Sequence, residues 1–262
     1  MTDHQAGNRA QAIAAALDAA RKARTLLAPL DALLAPRDEA EGYAAQFALA
    51  TLQSAVPPAG FKIGATAKGM QDYLGLSGPL AGFMAGPVHQ AGAALPFARF
   101  VRPGVECEIG FRLGHDIAPG PLSRDQAAAA VAACFPSCEV VENRYTDFKA
   151  LGGAALAADQ VFHASCVIGA DSGFDLAALD TLTGRISHDG KELGSGPATA
   201  LLGHPLAVLQ FLADSGAAHE FGGLKAGQVI TLGSVTPPFW LDRPGEIAVD
   251  FGPLGRLAFK FI

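Results

Sequence analysis

Between residues 9 and about 34 the apolar positions Ile13, Leu17, Ala20, Ala23 and Leu27 recur at helical spacing, which predicts a helix that Pro29 and Pro36 break. A second helical run covers residues 39 to about 54. Beyond Val56-Pro-Pro-Ala-Gly60 the period shortens to that of strands. Residues 61–65 read as a strand with Phe61 and Ile63 on one face and Lys62 and Gly64 on the other. Residues 66–76 read as a short helix and turn, and 101–113 as a long strand reached through Gly-, Pro- and Ala-rich loops. Ser123 is placed to cap an Ala-rich helix running to about residue 134, with Asp125 and Gln126 in its first turn and Pro136 ending it. Strands are expected at 138–141 and 161–168 with a polar loop between them, then at 182–187 before the hairpin-type turn His188-Asp-Gly-Lys191. The glycine-flanked loop Gly194-Ser-Gly-Pro-Ala-Thr-Ala200 opens a helix from about 198 to 214, interrupted near Gly203-His-Pro205. Such a loop offers backbone N–H groups to an anion such as a substrate carboxylate. His204, beside Pro205, reads as a structural histidine. Strands at 229–234, 247–251 and 257–261 follow.

Helices first and a mixed, strand-rich remainder define an α+β chain: a small helical N-terminal module, residues 1–58, followed by a larger domain, 59–262, built as a mixed β-sheet roll or sandwich.

The chemistry concentrates in the long strand. Val105-Glu-Cys-Glu108 places Glu106 and Glu108 two residues apart, so both carboxylates face one side, roughly 7 Å apart, while Cys107 and Ile109 face the other. Like charges held that close resist ionising unless a cation lies between them, and an all-oxygen donor set suits a hard divalent ion such as Mg2+ or Mn2+. The competing reading is a half-exposed strand with a solvated acidic face. Glu139, in the next strand, turns a pair into a candidate triad. Lys62 also has two readings, a solvated amine or one that touches a ligand beside the uncovered Gly64.

Composition narrows the function classes. Half of the 262 residues are hydrophobic, 17% are charged and the formal net charge is −6, with no basic run. Nucleic acid and acidic membrane surfaces are poor partners for such a chain, and no apolar segment reaches the length of a membrane span. The polar N-terminus lacks the apolar core of a secretory signal, so a cytoplasmic location is expected. Cys107, Cys134, Cys138 and Cys166 lie in apolar contexts without Cys-x-x-Cys spacing and read as buried free thiols.

Taken together, Ala28-Pro-Leu30, Tyr43-Ala-Ala-Gln46, Gly60-Phe-Lys-Ile-Gly-Ala-Thr66, Val105-Glu-Cys-Glu108, Cys138-Glu-Val-Val-Glu-Asn-Arg144, Leu202-Gly-His-Pro-Leu206 and Leu224-Lys-Ala-Gly227 span nearly the whole chain. In order and spacing they resemble the fumarylacetoacetate hydrolase superfamily, in its branch of 2-keto-4-pentenoate hydratases and 4-oxalocrotonate decarboxylases. The resemblance implies the superfamily's C-terminal-domain fold, Mg2+ or Mn2+ held by Glu106, Glu108 and Glu139, and proton transfer by Lys62. It also implies a small 2-oxo or 2-hydroxy-dienoic acid substrate from aromatic-compound catabolism, and a homo-oligomer. Substrate contacts fall on Asp159, Gln160, Phe162 and Ser234.

The chain departs from the family pattern at its polar positions. Leu80 stands where the family has the aspartate of Pro-Asp-(Phe/Tyr)-Gly. Gln160 and Phe162 replace the asparagine and serine of Ala-Asp-Asn-Ala-Ser, and Leu232-Gly-Ser234 replaces Thr-Gly-Ser. These changes predict a more apolar substrate tail, with Phe83, Phe162, Phe239 and Trp240 as candidate lining. Hydration is the first expectation, and decarboxylation shares its dienolate. An acylpyruvate-type carbon–carbon hydrolase would require a base such as His89, and a non-catalytic partner subunit is the remaining reading.

Overall fold

The computed structural model describes residues 3–28, 30 and 33–262. The helical patterns become α1 (Asp3–Ala23) and α2 (Glu39–Leu52), the latter capped by the Asp38 carboxylate, which accepts from the Glu41 N–H at 2.9 Å. Helix α1 ends well short of residue 34. Arg24 turns left-handed (φ 51°), and the Leu27 backbone pairs instead with Arg144 and Thr146 at 2.7 and 2.8 Å. Tertiary hydrogen bonds thus override a helical pattern that sequence spacing continues. Met1, Thr2, Pro29 of the Ala28-Pro-Leu30 motif, Asp31 and Ala32 lie outside the described residues.

The rest of the chain runs β1 (Gly60–Gly64), α3 (Lys68–Leu74), β2 (Leu80–Met84), β3 (Val88–Gln90), β4 (Ala94–Leu95), β5 (Pro103–Leu113), α4 (Arg124–Ala130), β6 (Val131–Glu142), α5 (Gly152–Ala158) and β7 (His163–Ile168). It continues with β8 (Thr183–His188), β9 (Lys191–Pro197), α6 (Pro205–Ala213), α7 (Gly216–Glu220), β10 (Val229–Ser234), β11 (Phe239–Trp240), β12 (Gly245–Asp250) and β13 (Arg256–Phe261). An eight-stranded mixed sheet has the order β2-β1-β10-β5-β6-β7-β3, with β11 added to β5. Strand β2 comes back into contact with β7, so this sheet curls into a roll. A five-stranded sheet, β4-β13-β12-β8-β9, covers one face of it. Between the sheets lie Cys107, Ile109 and Phe111 of β5, all fully buried. The missing side chain of Gly184 on β8 leaves space for Phe251 and Cys107, whose sulfur is 2.9 Å from where a Cβ would stand. Ile13 and Leu17 of α1 and Tyr43 and Leu49 of α2 join the same core.

Several expected boundaries move. Helix α4 stops at Ala130, and Pro136 lies inside the long strand β6 instead of ahead of it. Its carbonyl accepts from Gly169, just past the end of β7. The N–H that proline lacks points to that same side, so the ladder with β5 loses nothing. Residues 194–197 belong to β9 rather than to an anion-binding loop, because a bare Gly196 lets the strand press against the Val235 carbonyl. His204 caps α6, its Nδ1 accepting from the Leu206 N–H at 3.1 Å, the structural role expected of it.

Candidate metal centre and its surroundings

Antiparallel pairing places Glu106 of β5 directly opposite Glu139 of β6, and Glu108 opposite Ser137. Thr231 of β10 pairs with Gly110 on one side and with Lys62 of β1 on the other. Directly paired residues share a face, so register alone brings Glu106, Glu108, Glu139 and Lys62 to the inner face of the roll. The carboxylates offer oxygens that all lie within 4.8 Å of one another. Lys62 is 1% exposed; its Nζ donates to the Val161 carbonyl at 2.8 Å and lies 3.1 Å from Glu139 Oε2. The other Glu139 oxygen is 2.8 Å from His163 Nδ1. The Gly233 N–H donates to Glu108 Oε2 at 3.2 Å, while Glu108 Oε1, buried, has no hydrogen-bond partner among the described residues.

Burial and mutual repulsion dominate the electrostatics. Loss of solvent raises the Glu106 carboxyl to about 8 despite the attraction of Lys62, and carries Glu108 well above the ordinary carboxylate range. Glu139 is raised by burial, with Lys62 opposing. Burial also opposes the Lys62 charge, but Glu139, Glu106 and Glu108 outweigh it and lift the amine above its usual value. The His163 imidazole is held neutral by burial and by the nearby Lys62, Arg21 and Arg144 cations. Three carboxyls that resist ionising together, with Glu108 Oε1 and Glu139 Oε2 buried and without a hydrogen-bond partner among the described residues, fit a hard divalent cation that neutralises them.

The Lys62 tether comes from an unusual turn. Gln160, Val161 and Phe162 are all left-handed (φ 55°, 51° and 66°), so β7 begins at His163 instead of Val161. Each such non-glycine residue costs roughly 1–2 kcal/mol, and a β-branched one is the least tolerant. The turn fits against Gly64 and Gly82, where a Cβ would stand 2.6 Å from Val161 Cγ1 and from the Gln160 carbonyl oxygen respectively. Gln160 Nε2 donates to the Phe83 carbonyl at 2.7 Å. Phe162 is half-buried between Tyr145 and Phe148, with ring centroids at 6.2 and 6.0 Å.

The remaining expected positions divide. Asp159 is drawn into a second, ionic cluster: its Oδ1 accepts from Arg21 Nε and its Oδ2 from Arg144, both at 2.9 Å, and Arg144 also donates to Glu142 at 3.0 Å. Burial would raise the Asp159 carboxyl, but Arg144 and Arg21 outweigh it and hold it below the usual range. Asp159→Asn would leave the Arg21 guanidinium without its carboxylate and Arg144 with Glu142 alone, and urea unfolding should show a loss of about 3–5 kcal/mol. A loss under about 1 kcal/mol would mean that solvent, not Asp159, balances the arginines. The Ser234 hydroxyl is engaged with the backbone, accepting from Cys107 and Thr236 N–H groups at 3.1 and 3.2 Å. Of the aromatic candidates, Phe83 is fully buried core, and Phe239 faces the small sheet, 2.7 Å from where a Gly194 Cβ would be. Both therefore turn away from the carboxylates. Trp240 pairs with Gly104 and occupies the space over it, on the face that carries Glu106, and is 47% exposed. His89 pairs with Val167 at the sheet edge and makes no contact with the carboxylate cluster.

Beside the centre, a cavity of about 430 Å3 runs along the seam between β2 and β7, with Met84, Arg99, Arg144, Gln160 and His163 among its walls. His163 and Arg21 were not anticipated. The partner of Arg21 is 138 residues away, and nothing in the local pattern of either residue signals its role. Arg144 belongs to a motif already singled out, but it read as a loop residue.

No family model matches the chain. Its sequence is 35% identical over 184 residues to a 2-hydroxyhexa-2,4-dienoate hydratase of Comamonas testosteroni, covering 68% of each chain. It is 31% identical over 205 residues to a 4-oxalocrotonate decarboxylase of a Pseudomonas species, covering 77% of each. The chain belongs to the family of 2-keto-4-pentenoate hydratases and 4-oxalocrotonate decarboxylases. The fold agrees: the 4-oxalocrotonate decarboxylase of Pseudomonas putida G7, complexed with magnesium and adipate, superposes with a TM-score of 0.87 at 23% identity, over 100% of this chain and 99% of that one. The α+β architecture with a mixed-sheet roll expected from the sequence is thus the fold this neighbour shares.

Proposed function

We propose that the protein is a divalent-metal-dependent hydro-lyase acting on a 2-hydroxy-dienoic or 2-oxo-enoic acid, a 2-keto-4-pentenoate hydratase-like enzyme of aromatic-compound catabolism. The observation that carries this reading is the convergence of Glu106, Glu108 and Glu139 within 4.8 Å, with the buried Lys62 amine 3.1 Å from Glu139. The three carboxylates would hold Mg2+ or Mn2+, which when bound supplies Lewis-acid polarisation of the substrate's carboxylate and 2-oxygen. Lys62, kept charged by the cluster and aimed by the Val161 carbonyl, is the acid that protonates the far carbon of the dienol to give the conjugated enone. The 2-hydroxyl gives up its proton to solvent as the ketone forms. The neutral amine takes a proton from the water that adds to the enone, returns it to the carbon next to the ketone and regains one from solvent, so that one water is consumed and Lys62 ends charged as it began. Trp240, on the carboxylate face, suits an apolar substrate tail.

The test is the loss of dienol absorbance from 2-hydroxypenta-2,4-dienoate and longer alkyl or aryl analogues, with Mn2+ and then with excess chelator. Metal-dependent turnover supports the reading. Bound metal without turnover on any of them would overturn hydration. The 4-oxalocrotonate decarboxylase relative and the loss of polar groups at Leu80 and Phe162 favour decarboxylation as the second reading, which carbon dioxide release would reveal.

Metal binding should depend on pH with a defined sign. The carboxyls must lose protons to bind a cation, so Mn2+ affinity rises about tenfold per pH unit for each proton displaced across the range up to about 8, where Glu106 ionises. The unfolded chain has already lost those protons near pH 5. The metal-free fold therefore loses stability as pH rises toward 8, and Mn2+ restores it. Titration calorimetry and thermal melts at pH 6, 7 and 8 check both; an affinity independent of pH would contradict carboxylate ligation.

The family resemblance supports a homo-oligomer, which sedimentation would count. A cytoplasmic location is supported by four free, buried cysteines, which suit a reducing compartment, and among the described residues no helix is long and apolar enough to cross a membrane.

A further inference from the structure

Each oxygen of Glu139 faces a side-chain nitrogen: Lys62 Nζ lies 3.1 Å from Oε2 and His163 Nδ1 lies 2.8 Å from Oε1. Glu108 is met instead by the backbone N–H of Gly233. A carboxyl group rotates about its terminal bond at little cost. Which oxygen it turns toward a neighbour is therefore decided by what holds the other. His163 is placed to hold it firmly, because it is buried, it opens β7 immediately after the left-handed turn, and its backbone is fixed by pairing with Val141 of β6. Its other side belongs to the seam cavity, so the imidazole stands between that cavity and the cluster.

We infer that His163 is a positioning residue for cation binding: by donating from Nδ1 to Glu139 Oε1 it holds Glu139 with Oε2 directed to the shared space of the triad and Lys62. The inference rests on the proposed metal reading of Glu106, Glu108 and Glu139. When Glu139 ligates a cation it is ionised and can only accept a hydrogen bond, so in that state Nδ1 carries the proton and Nε2 is left as an acceptor on the imidazole. Outer-shell partners of this kind fix the orientation of a ligand and raise its basicity, and losing one costs about 10–100-fold in metal affinity.

The experiment titrates metal-free protein with Mn2+ by calorimetry at one pH, comparing the natural chain with His163→Phe, His163→Gln and Glu108→Gln. His163→Phe should bind Mn2+ about 10–100-fold more weakly, and His163→Gln, whose amide N–H can reach the same oxygen, should recover most of the loss. A purely steric role would be served by Phe and not by Gln. Unchanged affinity in His163→Phe, with Glu108→Gln binding abolished, overturns the positioning role and leaves the metal reading standing. Unchanged affinity in Glu108→Gln overturns that reading and the inference with it. Should His163→Phe fail to fold, the natural chain decides: a slowly exchanging downfield imidazole N–H proton that shifts when Mg2+ is added supports the inference, and its absence or indifference to Mg2+ overturns it.

Discussion

Glu108→Gln is expected to abolish turnover and to weaken Mn2+ binding by more than about 100-fold, beyond the range for losing an outer-shell partner, while the fold survives intact. Glu108 is fully buried, its carboxyl is pushed well above the ordinary range by burial and by Glu139 and Glu106, and one oxygen has no partner among the described residues. A neutral amide of the same shape therefore mimics the resting, protonated side chain and keeps an oxygen for the Gly233 N–H. What it removes is the negative donor. Thermal melts make the separation visible: the natural chain should gain stability with Mn2+ as mass action requires, and the variant should melt at an unchanged temperature with or without the ion. A variant that still responds to Mn2+ like the natural chain would place the cation elsewhere.

Lys62→Met is the second large effect, and it should separate chemistry from metal binding. Removing a positioned acid–base group lowers kcat by about 10²–10⁴-fold. Met occupies similar volume, but it leaves the Val161 carbonyl without its donor and Glu139 without its cation. The metal-free variant should lose about 1–3 kcal/mol for the unpaired buried carbonyl. Mn2+ affinity should hold or increase, because the ion no longer competes with an ammonium 3.1 Å from Glu139. Kinetics at saturating Mn2+ alongside calorimetry tests both halves. A kcat within about tenfold of the natural chain would assign the proton transfer to another group, below the range general acid–base catalysis supplies.

These effects depend on register as much as on composition. Strand pairing puts Glu106 opposite Glu139; a one-residue slip of β6 would send Glu139 to the opposite face, among Cys107, Ile109 and Phe111. The same logic explains the small residues near the site. Gly64, Gly82 and Gly104 each leave room that Val161, Gln160 and Trp240 occupy.

By itself the sequence determined the class of fold, the strand that carries Glu106 and Glu108, and the group of residues, with Glu139 and Lys62, that the structure brings together. Alternation along β5 and the motif from Gly60 to Thr66 are local signals, and the i, i+2 spacing alone puts the two carboxylates on one face. What only the tertiary structure decided were contacts between residues distant along the chain. Helix α1 stops early because Leu27 pairs with Arg144 and Thr146; β6 continues through Pro136 because the missing N–H faces past the end of β7. Asp159 joins Arg21 and Arg144 rather than the carboxylate cluster, Phe83 and Phe239 turn into the core, and His163 reaches Glu139 from a strand that starts later than its hydrophobic run. Periodicity reports which face a side chain takes, whereas the partner it meets there is set by how distant strands pair and how the sheet curls.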